Sequence, residues 1–146
     1  MTKILIKRLS NKVSLPKYET SGSSGMDLAA FIDANIDIDP GKTEIIPTGL
    51  SVAIPEGFEI QIRPRSGLAA KDNITVLNTP GTIDADYRGE IKVILINLSQ
   101  NKFTVENGLR IAQMVVCPLI QAQLEEVNEL NDTMRGKGGF GSTGAK

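Results

Sequence analysis

Short segments in which apolar and polar residues alternate recur along this chain of 146 residues. Over residues 58–63, Phe, Ile and Ile alternate with Glu, Gln and Arg, a period of two that is typical of a half-buried strand. Pro-Gly and Asn-Gly pairs lie between such segments and indicate turns. The pattern predicts an all-β fold, a sandwich or barrel of jelly-roll type. Its predicted strands are residues 4–8, 36–38, 43–48, 50–54, 58–63, 91–98 and 111–120.

Helical periodicity is scarce. Residues 66–71 are predicted to form the one short helix, with Ser66 as its N-cap. No internal repeat or linker divides the chain, and its length suits a single domain. We therefore expect one β-barrel domain over residues 1–130, followed by a flexible, Gly-rich C-terminal arm over residues 131–146.

Composition narrows the function classes. The net charge is −1, so no overall field favours a nucleic acid or a membrane surface, and neither is expected as a partner. The chain contains no His, which excludes His-dependent triads and His metal ligands. The single cysteine, Cys117, lies in an apolar segment and is expected to be a core thiol. A lone cysteine and no signal peptide predict a reducing compartment, the cytoplasm.

The densest polar stretch is residues 81–90, between an apolar run at 74–77 and the strand predicted at 91–98. This arrangement predicts a hairpin with a polar turn. Asp84 lies between Ile83 and Ala85, so we expect it to be partly buried. Such a carboxylate is able to orient and deprotonate a water molecule. It is equally suited to capping its own turn.

Three other segments carry candidate chemistry. Arg63, Arg65 and Ser66 stand at the start of the predicted helix, which suits phosphate binding or an ordinary capped helix. Asp27 is a lone carboxylate among small and apolar residues, placed to support a metal, to fix a phosphate loop, or to serve the fold. Gln113 lies in an apolar strand, where its amide needs partners from the fold or from a ligand.

The tail over residues 135–146 combines five glycines with Arg, Lys, Ser, Thr and one Phe. These side chains bind phosphate or stack on a flat ring. The tail is therefore either a lid that orders over a nucleotide or a frayed terminus. Its spacing Gly136-x-Gly138-x-x-Gly141 also matches a dinucleotide fingerprint, but that motif requires a strand before it and a helix after it.

Taken in order, five segments resemble the motifs of the trimeric, all-β deoxyuridine triphosphate nucleotidohydrolases (dUTPases). The third and fifth are highly specific, and the first carries Ser24 where the family usually has Ala. The resemblance spans nearly the whole chain and implies a distorted β-barrel or jelly roll with one short helix. The five segments are residues 24–30 (SGMDLAA), 64–69 (PRSGLA), 81–90 (GTIDADYRGE), 108–115 (GLRIAQMV) and 135–144 (RGKGGFGSTG).

The resemblance implies hydrolysis of dUTP to dUMP and pyrophosphate, with Asp84 holding the attacking water at the α-phosphorus and Asp27 in support. Mg²⁺ would assist while resting mainly on the substrate phosphates and water, so no direct protein ligand is expected. Family members are homotrimers with shared sites, to which one subunit gives the hairpin, a second the phosphate loop and a third its tail. The residues matched to substrate contacts are Arg65, Ser66, Gly67, Asn78, Thr82, Ile83, Tyr87, Gln113, Arg135, Phe140, Gly141, Ser142 and Thr143.

Rival interpretations remain open at the level of sequence. A dCTP deaminase resembles this family in fold and oligomer, but the complete third motif and the Phe140 tail favour a dUTPase. A non-catalytic nucleotide-binding trimer has no reason to retain Asp84, Arg65 and the tail together. A general β-sandwich interaction module is the third alternative.

Overall fold

The protein is described by a computed structural model over residues 2–141. Two four-stranded sheets, a two-stranded sheet and one short helix make up its fold. The elements are β1 (Leu5–Arg8), β2 (Met26–Ala29), β3 (Ile36–Ile38), β4 (Thr43–Ala53), β5 (Phe58–Arg63), α1 (Ser66–Asp72), β6 (Ile74–Val76), β7 (Gly81–Ile83), β8 (Glu90–Asn97), β9 (Phe103–Val105) and β10 (Arg110–Pro118).

The two larger sheets enclose the core. The first has the strand order β1-β4-β8-β6 and the second β2-β10-β5-β7, and every strand pair is antiparallel. Alternate residues of β5 and β8 are buried, among them Ile60, Ile62, Ile91, Val93 and Leu95. Because neither sheet closes on itself within residues 2–141, the molecule is a distorted jelly roll. The all-β class and jelly-roll architecture predicted from the sequence are confirmed.

Several predicted boundaries were wrong. Segments 43–48 and 50–54 form the single strand β4, which continues through a bulge where Gly49 takes a φ of +69°. The glycine between the two apolar runs marks this bulge and not a break between strands. Four further strands, β2, β6, β7 and β9, are absent from the predicted set, and each is only three or four residues long. Cys117 is half-buried and not a core residue, since it lies beside Arg63, whose Nη2 is 3.7 Å from its Sγ.

An exposed ion pair at the smallest sheet joins Asp37 of β3 to Lys102, the residue before β9. Lys102 Nζ lies 2.7 Å from an Asp37 carboxylate oxygen, and Thr104 donates to the other oxygen at 2.6 Å. Hydrogen bonds from Lys102 and Thr104 lower the pKa of Asp37 from its ordinary value of 3.8. The hydrogen bond to Asp37 correspondingly raises the pKa of Lys102 from 10.5.

We expect Lys102→Met to destabilise the protein slightly at about pH 7 and by less at about pH 3. A lowered carboxyl pKa contributes stability that is complete above 3.8 and is lost as the pH falls through the folded value. The measurement is the difference in unfolding free energy between variant and parent at both values of pH. A difference that grows on acidification would contradict the assignment.

The chain beyond β10 differs from the body of the fold. Residues 119–141 contain neither helix nor strand, and nearly all of them are exposed. Three apolar side chains in this segment, Ile120, Leu124 and Leu130, are 85–95% exposed. Among the residues described, no helix is long and apolar enough to cross a membrane.

Candidate active site

The polar stretch at 81–90 lies at a gap between two strands. β6 pairs with β8 only through its three residues, which lie opposite Leu95–Asn97. The following residues 81–83 leave β8 and pair as β7 with β5 in the other sheet. The predicted simple hairpin was therefore wrong in detail, because its first arm divides between two sheets. A cavity of about 220 Å³, here called the β7–β8 cleft, remains between β7 and the first half of β8.

Five of the residues singled out in the sequence line this cleft: Asn78, Thr82, Ile83, Asp84 and Tyr87. The side chain of Asn78 packs beside Gly81, where an added Cβ would lie 3.3 Å from its Nδ2. Asp84 is exposed in this chain, so the expected partial burial was wrong. The reason is that β7 ends at Ile83, and Asp84 begins the turn that the Tyr87 N–H closes onto the Asp84 carbonyl at 3.2 Å.

The cleft suits the edge of a small planar ring. β7 is the outer strand of its sheet, so the backbone groups on its free side have no strand partner among residues 2–141. Such N–H and C=O groups bind complementary donors and acceptors of a ligand. At about 220 Å³ the cavity is smaller than the roughly 300–1,000 Å³ typical of sites for drug-sized molecules. It admits one ring system, while the rest of a larger ligand would lie outside it.

A second group of side chains, the arginine cluster, consists of Asp27, Arg65 and Arg110. Arg65 binds the carboxylate of Asp27 with two nitrogens, Nε to Oδ1 at 3.0 Å and Nη2 to Oδ2 at 3.2 Å. Arg110 adds a third bond, Nη1 to Oδ2 at 3.2 Å. One carboxylate thus holds two guanidinium groups and leaves a net positive site, which suits an anionic ligand. Arg110 was not singled out in the sequence, although it stands three positions before Gln113.

The loop that carries Arg65 is fixed from β10. Gln113 donates from Nε2 to the Pro64 carbonyl at 2.9 Å, so its amide has a partner within the fold. Ser66 and Gly67 are exposed in the first turn of α1. The expected capping by Ser66 was wrong, because Arg65 occupies the N-cap position and no side chain caps the helix.

Comparison with known proteins identifies the family of this chain. A family model described as dUTPase matches residues 11–144. The chain belongs to the dUTPase family. Its resemblance to the family is thereby confirmed, and the predicted enzyme class, dUTP diphosphatase, is that of the family.

Individual members of the dUTPase family match this chain over most or nearly all of its length. A deoxyuridine 5'-triphosphate nucleotidohydrolase of Rickettsia felis is 57% identical over 145 residues, which cover 99% of this chain and 98% of the relative. The dUTPase of Staphylococcus bacteriophage 80alpha, solved with dUpNHpp, is 26% identical and superposes with a TM-score of 0.88 over 99% of both chains. The dUTPase of phage phi11 of S. aureus shares the fold at 20% identity and a TM-score of 0.79, over 89% of this chain and 99% of that one. The structure of that phage protein reveals how a structural Mg(II) ion is coordinated.

The dUTPase motifs fall into separate groups within one chain. Asp84 and Tyr87 lie at the β7–β8 cleft, whereas Arg65, Ser66 and Gln113 are not among the residues that line it. The described tail residues do not line the cleft and form no hydrogen bond with the arginine cluster. Arg135 donates from Nε to Gly138 within the tail itself at 2.9 Å, and the side chain of Phe140 is fully exposed. Gly141, with a φ of +84°, is the last residue described, so the predicted contacts of Ser142 and Thr143 lie outside the described residues.

The next feature of the described residues is the capacity of their side chains to bind a metal ion. Residues 2–141 contain no group of three or more His, Cys, Asp or Glu side chains able to hold a metal ion. Asp27, the carboxylate for which a metal role was considered, is bound by two guanidinium groups. Its oxygens are therefore next to positive charge, which disfavours direct coordination of a cation.

Proposed function

We propose that the protein hydrolyses dUTP to dUMP and pyrophosphate in the cytoplasm, limiting uracil in DNA and supplying dUMP for dTMP synthesis. The observation that carries this proposal is the β7–β8 cleft, which brings Asn78, the free edge of β7, Asp84 and Tyr87 together in a chain of the dUTPase family. A ring-sized cleft with a carboxylate at its mouth suits a nucleoside whose phosphates extend outward.

Uracil binding is assigned to Asn78 and to the backbone of Thr82 and Ile83. Uracil and cytosine present opposite donor and acceptor patterns, so a site that pairs with one leaves buried groups unpaired against the other. Such mismatches discriminate by roughly 10⁴- to 10⁵-fold. The Tyr87 ring is assigned to the face of the deoxyribose, where it leaves no room for a 2′-hydroxyl.

The reaction is assigned to Asp84. Its carboxylate accepts a proton from a water molecule as the water oxygen forms a bond to the α-phosphorus. The bond between the α-phosphorus and the bridging oxygen breaks, and pyrophosphate leaves. A positioned carboxylate in such a role contributes roughly 10²- to 10⁴-fold in rate. The exposed position of Asp84 leaves space for water and substrate.

Binding of the phosphates and neutralisation of their charge are assigned to cationic and polar groups outside the cleft. Positioning and charge neutralisation are the main demands of phosphoryl transfer, and the arginine cluster supplies both. When bound, Mg²⁺ would neutralise further charge while resting on the phosphates and water, in keeping with the arginine-bound state of Asp27. The residues assigned to the phosphates are Arg65, Ser66, Gly67, Gln113, Arg135, Ser142 and Thr143, with Phe140 and Gly141 covering the uracil.

We further propose that the complete site forms in a homotrimer. The separation of the cleft, the arginine cluster and the tail within one chain supports shared sites. In this proposal residues 1–130 form the barrel domain, and the arm over residues 131–146 closes a site built by other subunits.

Pyrophosphate release separates the possible activities. Incubation of the protein with dUTP and Mg²⁺ should yield dUMP and pyrophosphate, whereas UTP and dCTP should react far more slowly. Ammonia released from dCTP would instead show a deaminase. Tight binding of dUTP without pyrophosphate release would show a nucleotide-binding protein without this activity.

We expect Gly25→Ala to raise the KM for dUTP about five- to tenfold with a smaller change in kcat, the effect of losing roughly one hydrogen bond. An added Cβ at Gly25 would overlap Oε1 of Gln113 and lie 3.2 Å from Val115 Cγ2. Gln113 would have to move and release the Pro64 carbonyl that it holds. Steady-state kinetics measure the effect.

Gly22→Ala is the matched control for this prediction. An added Cβ at Gly22 would meet no atom within 4 Å, so its KM should equal that of the parent. Equal KM values for the two variants would show that Gln113 does not fix the loop that carries Arg65.

A further inference from the structure

The first residues of β8 are held by a bulge in β4 and not by a regular ladder. The register between the two strands shifts between Pro47 and Ser51, opposite the start of β8. Two side-chain bonds bridge this interruption. Thr48, only 1% exposed, donates from Oγ1 to the Ile91 carbonyl at 2.6 Å. The N–H of Gly49 donates to Oε1 of Glu90 at 2.9 Å.

The bulge itself has little freedom. Gly49 has a φ of +69°, in the left-handed region that favours glycine. A Cβ at this position would lie 2.5 Å from Val13 Cγ2 and 2.9 Å from Phe31 Cδ1. The N–H that Glu90 accepts therefore comes from a backbone position fixed by the core.

Tyr87 is hydrogen-bonded to Glu90, the first residue of β8. Its hydroxyl donates to the backbone carbonyl of Glu90 at 3.0 Å. Its ring covers Gly89, where any Cβ would overlap the phenol. Arg88 holds the backbone of this turn by donating to the Ala85 and Tyr87 carbonyls at 2.6 and 2.9 Å. The ring is thus oriented by Glu90, and Glu90 is oriented by Gly49.

We propose that Glu90 is a positioning residue for sugar selectivity, because its side chain ties the carbonyl that orients Tyr87 to the rigid bulge at Gly49. The inference rests on the proposed function, in which the Tyr87 ring excludes a 2′-hydroxyl. A ring that excludes one oxygen atom has to be held rigidly, since a soft wall yields to an added group. Glu90 also lines the β7–β8 cleft, and in this role it acts through Tyr87.

The acceptor atom, and not the charge, is the feature required. Glu90→Gln keeps a side-chain oxygen that accepts the Gly49 N–H, whereas Glu90→Ala removes the acceptor and leaves a partly buried donor unpaired. The selectivity, defined as kcat/KM for dUTP divided by kcat/KM for UTP, should fall about tenfold in Glu90→Ala. It should remain within about twofold of the parent in Glu90→Gln. Glu44→Ala, an exposed glutamate of β4, is the control and should keep the parental selectivity.

Tyr87→Phe tests the other end of the connection. It keeps the ring but loses the hydroxyl that binds Glu90, so it should lower the selectivity on its own. Adding Glu90→Ala to this variant should then change the selectivity little further, the non-additivity expected of residues that act through one contact. Independent effects that multiply in the double variant would overturn the proposal, as would unchanged selectivity in Glu90→Ala.

A readout without substrate separates this inference from the proposed function. The chain has no Trp and two Tyr, so near-ultraviolet circular dichroism of a Tyr18→Phe background reports the tyrosine band of Tyr87. Glu90→Ala should weaken that band and Glu90→Gln should preserve it. An unchanged band in Glu90→Ala would overturn the positioning role, whereas failure of the parent to hydrolyse dUTP would overturn the proposed function alone.

Discussion

Replacement of Asp84 by Asn is expected to lower kcat for dUTP hydrolysis by roughly 10²- to 10⁴-fold while leaving dUTP affinity nearly unchanged. Asparagine matches aspartate in size and still accepts hydrogen bonds, but it does not take the proton of the attacking water. Asp84 stands at the mouth of the β7–β8 cleft, where the substitution leaves the packed core untouched. Single-turnover pyrophosphate release measures the rate, and calorimetric titration with dUTP measures the affinity.

The control for this prediction is Asp33→Asn, which alters an exposed carboxylate that does not line the β7–β8 cleft. Its kcat should equal that of the parent. Normal turnover in Asp84→Asn would refute the role assigned to Asp84. A loss of dUTP affinity equal to the loss of kcat would assign Asp84 to substrate binding instead.

Deletion of residues 135–146 is the second change with a large expected effect. We expect a folded trimer whose kcat/KM for dUTP is lower by at least about a hundredfold. In the proposed roles, stacking by Phe140 would contribute about 1–3 kcal/mol, and hydrogen bonds from the charged Arg135 would contribute about 1.5–3 kcal/mol. Their combined loss, about 2.5–6 kcal/mol, is comparable to or larger than the roughly 2.7 kcal/mol that corresponds to a hundredfold change. The fold should survive because residues 135–137 and Phe140 are exposed and contribute nothing to the core.

Circular dichroism and light scattering would report the fold and the oligomer of the truncated protein. Deletion of residues 145–146 alone is the control and should retain most activity. Within the tail, Phe140→Trp should preserve activity better than Phe140→Ala, because tryptophan also stacks on a base. A monomeric or unfolded truncated protein would show that the tail is structural.

The sequence by itself determined the elements whose signal is local. The alternation at Phe58–Arg63 located β5, and the local sequence of residues 66–71 located α1. Both signals depend on neighbours a few positions away. The all-β class and the dUTPase family were recognisable for the same reason, since the motif residues are close together within each segment. The roles assigned to Asp84, Arg65 and the other site residues remain predictions.

Only the tertiary structure decided which of these segments meet. Asp27 and Arg110 are 83 positions apart in the sequence, and Gly49 and Glu90 are 41 apart. No local pattern therefore predicts either contact. The choice of β5 over β8 as the partner of β7 opens the cleft, and it depends on how two sheets pack. The exposure of Asp84 is likewise a property of where β7 ends in space. Long-range pairing is selected by the free energy of the whole core, which no single segment contains.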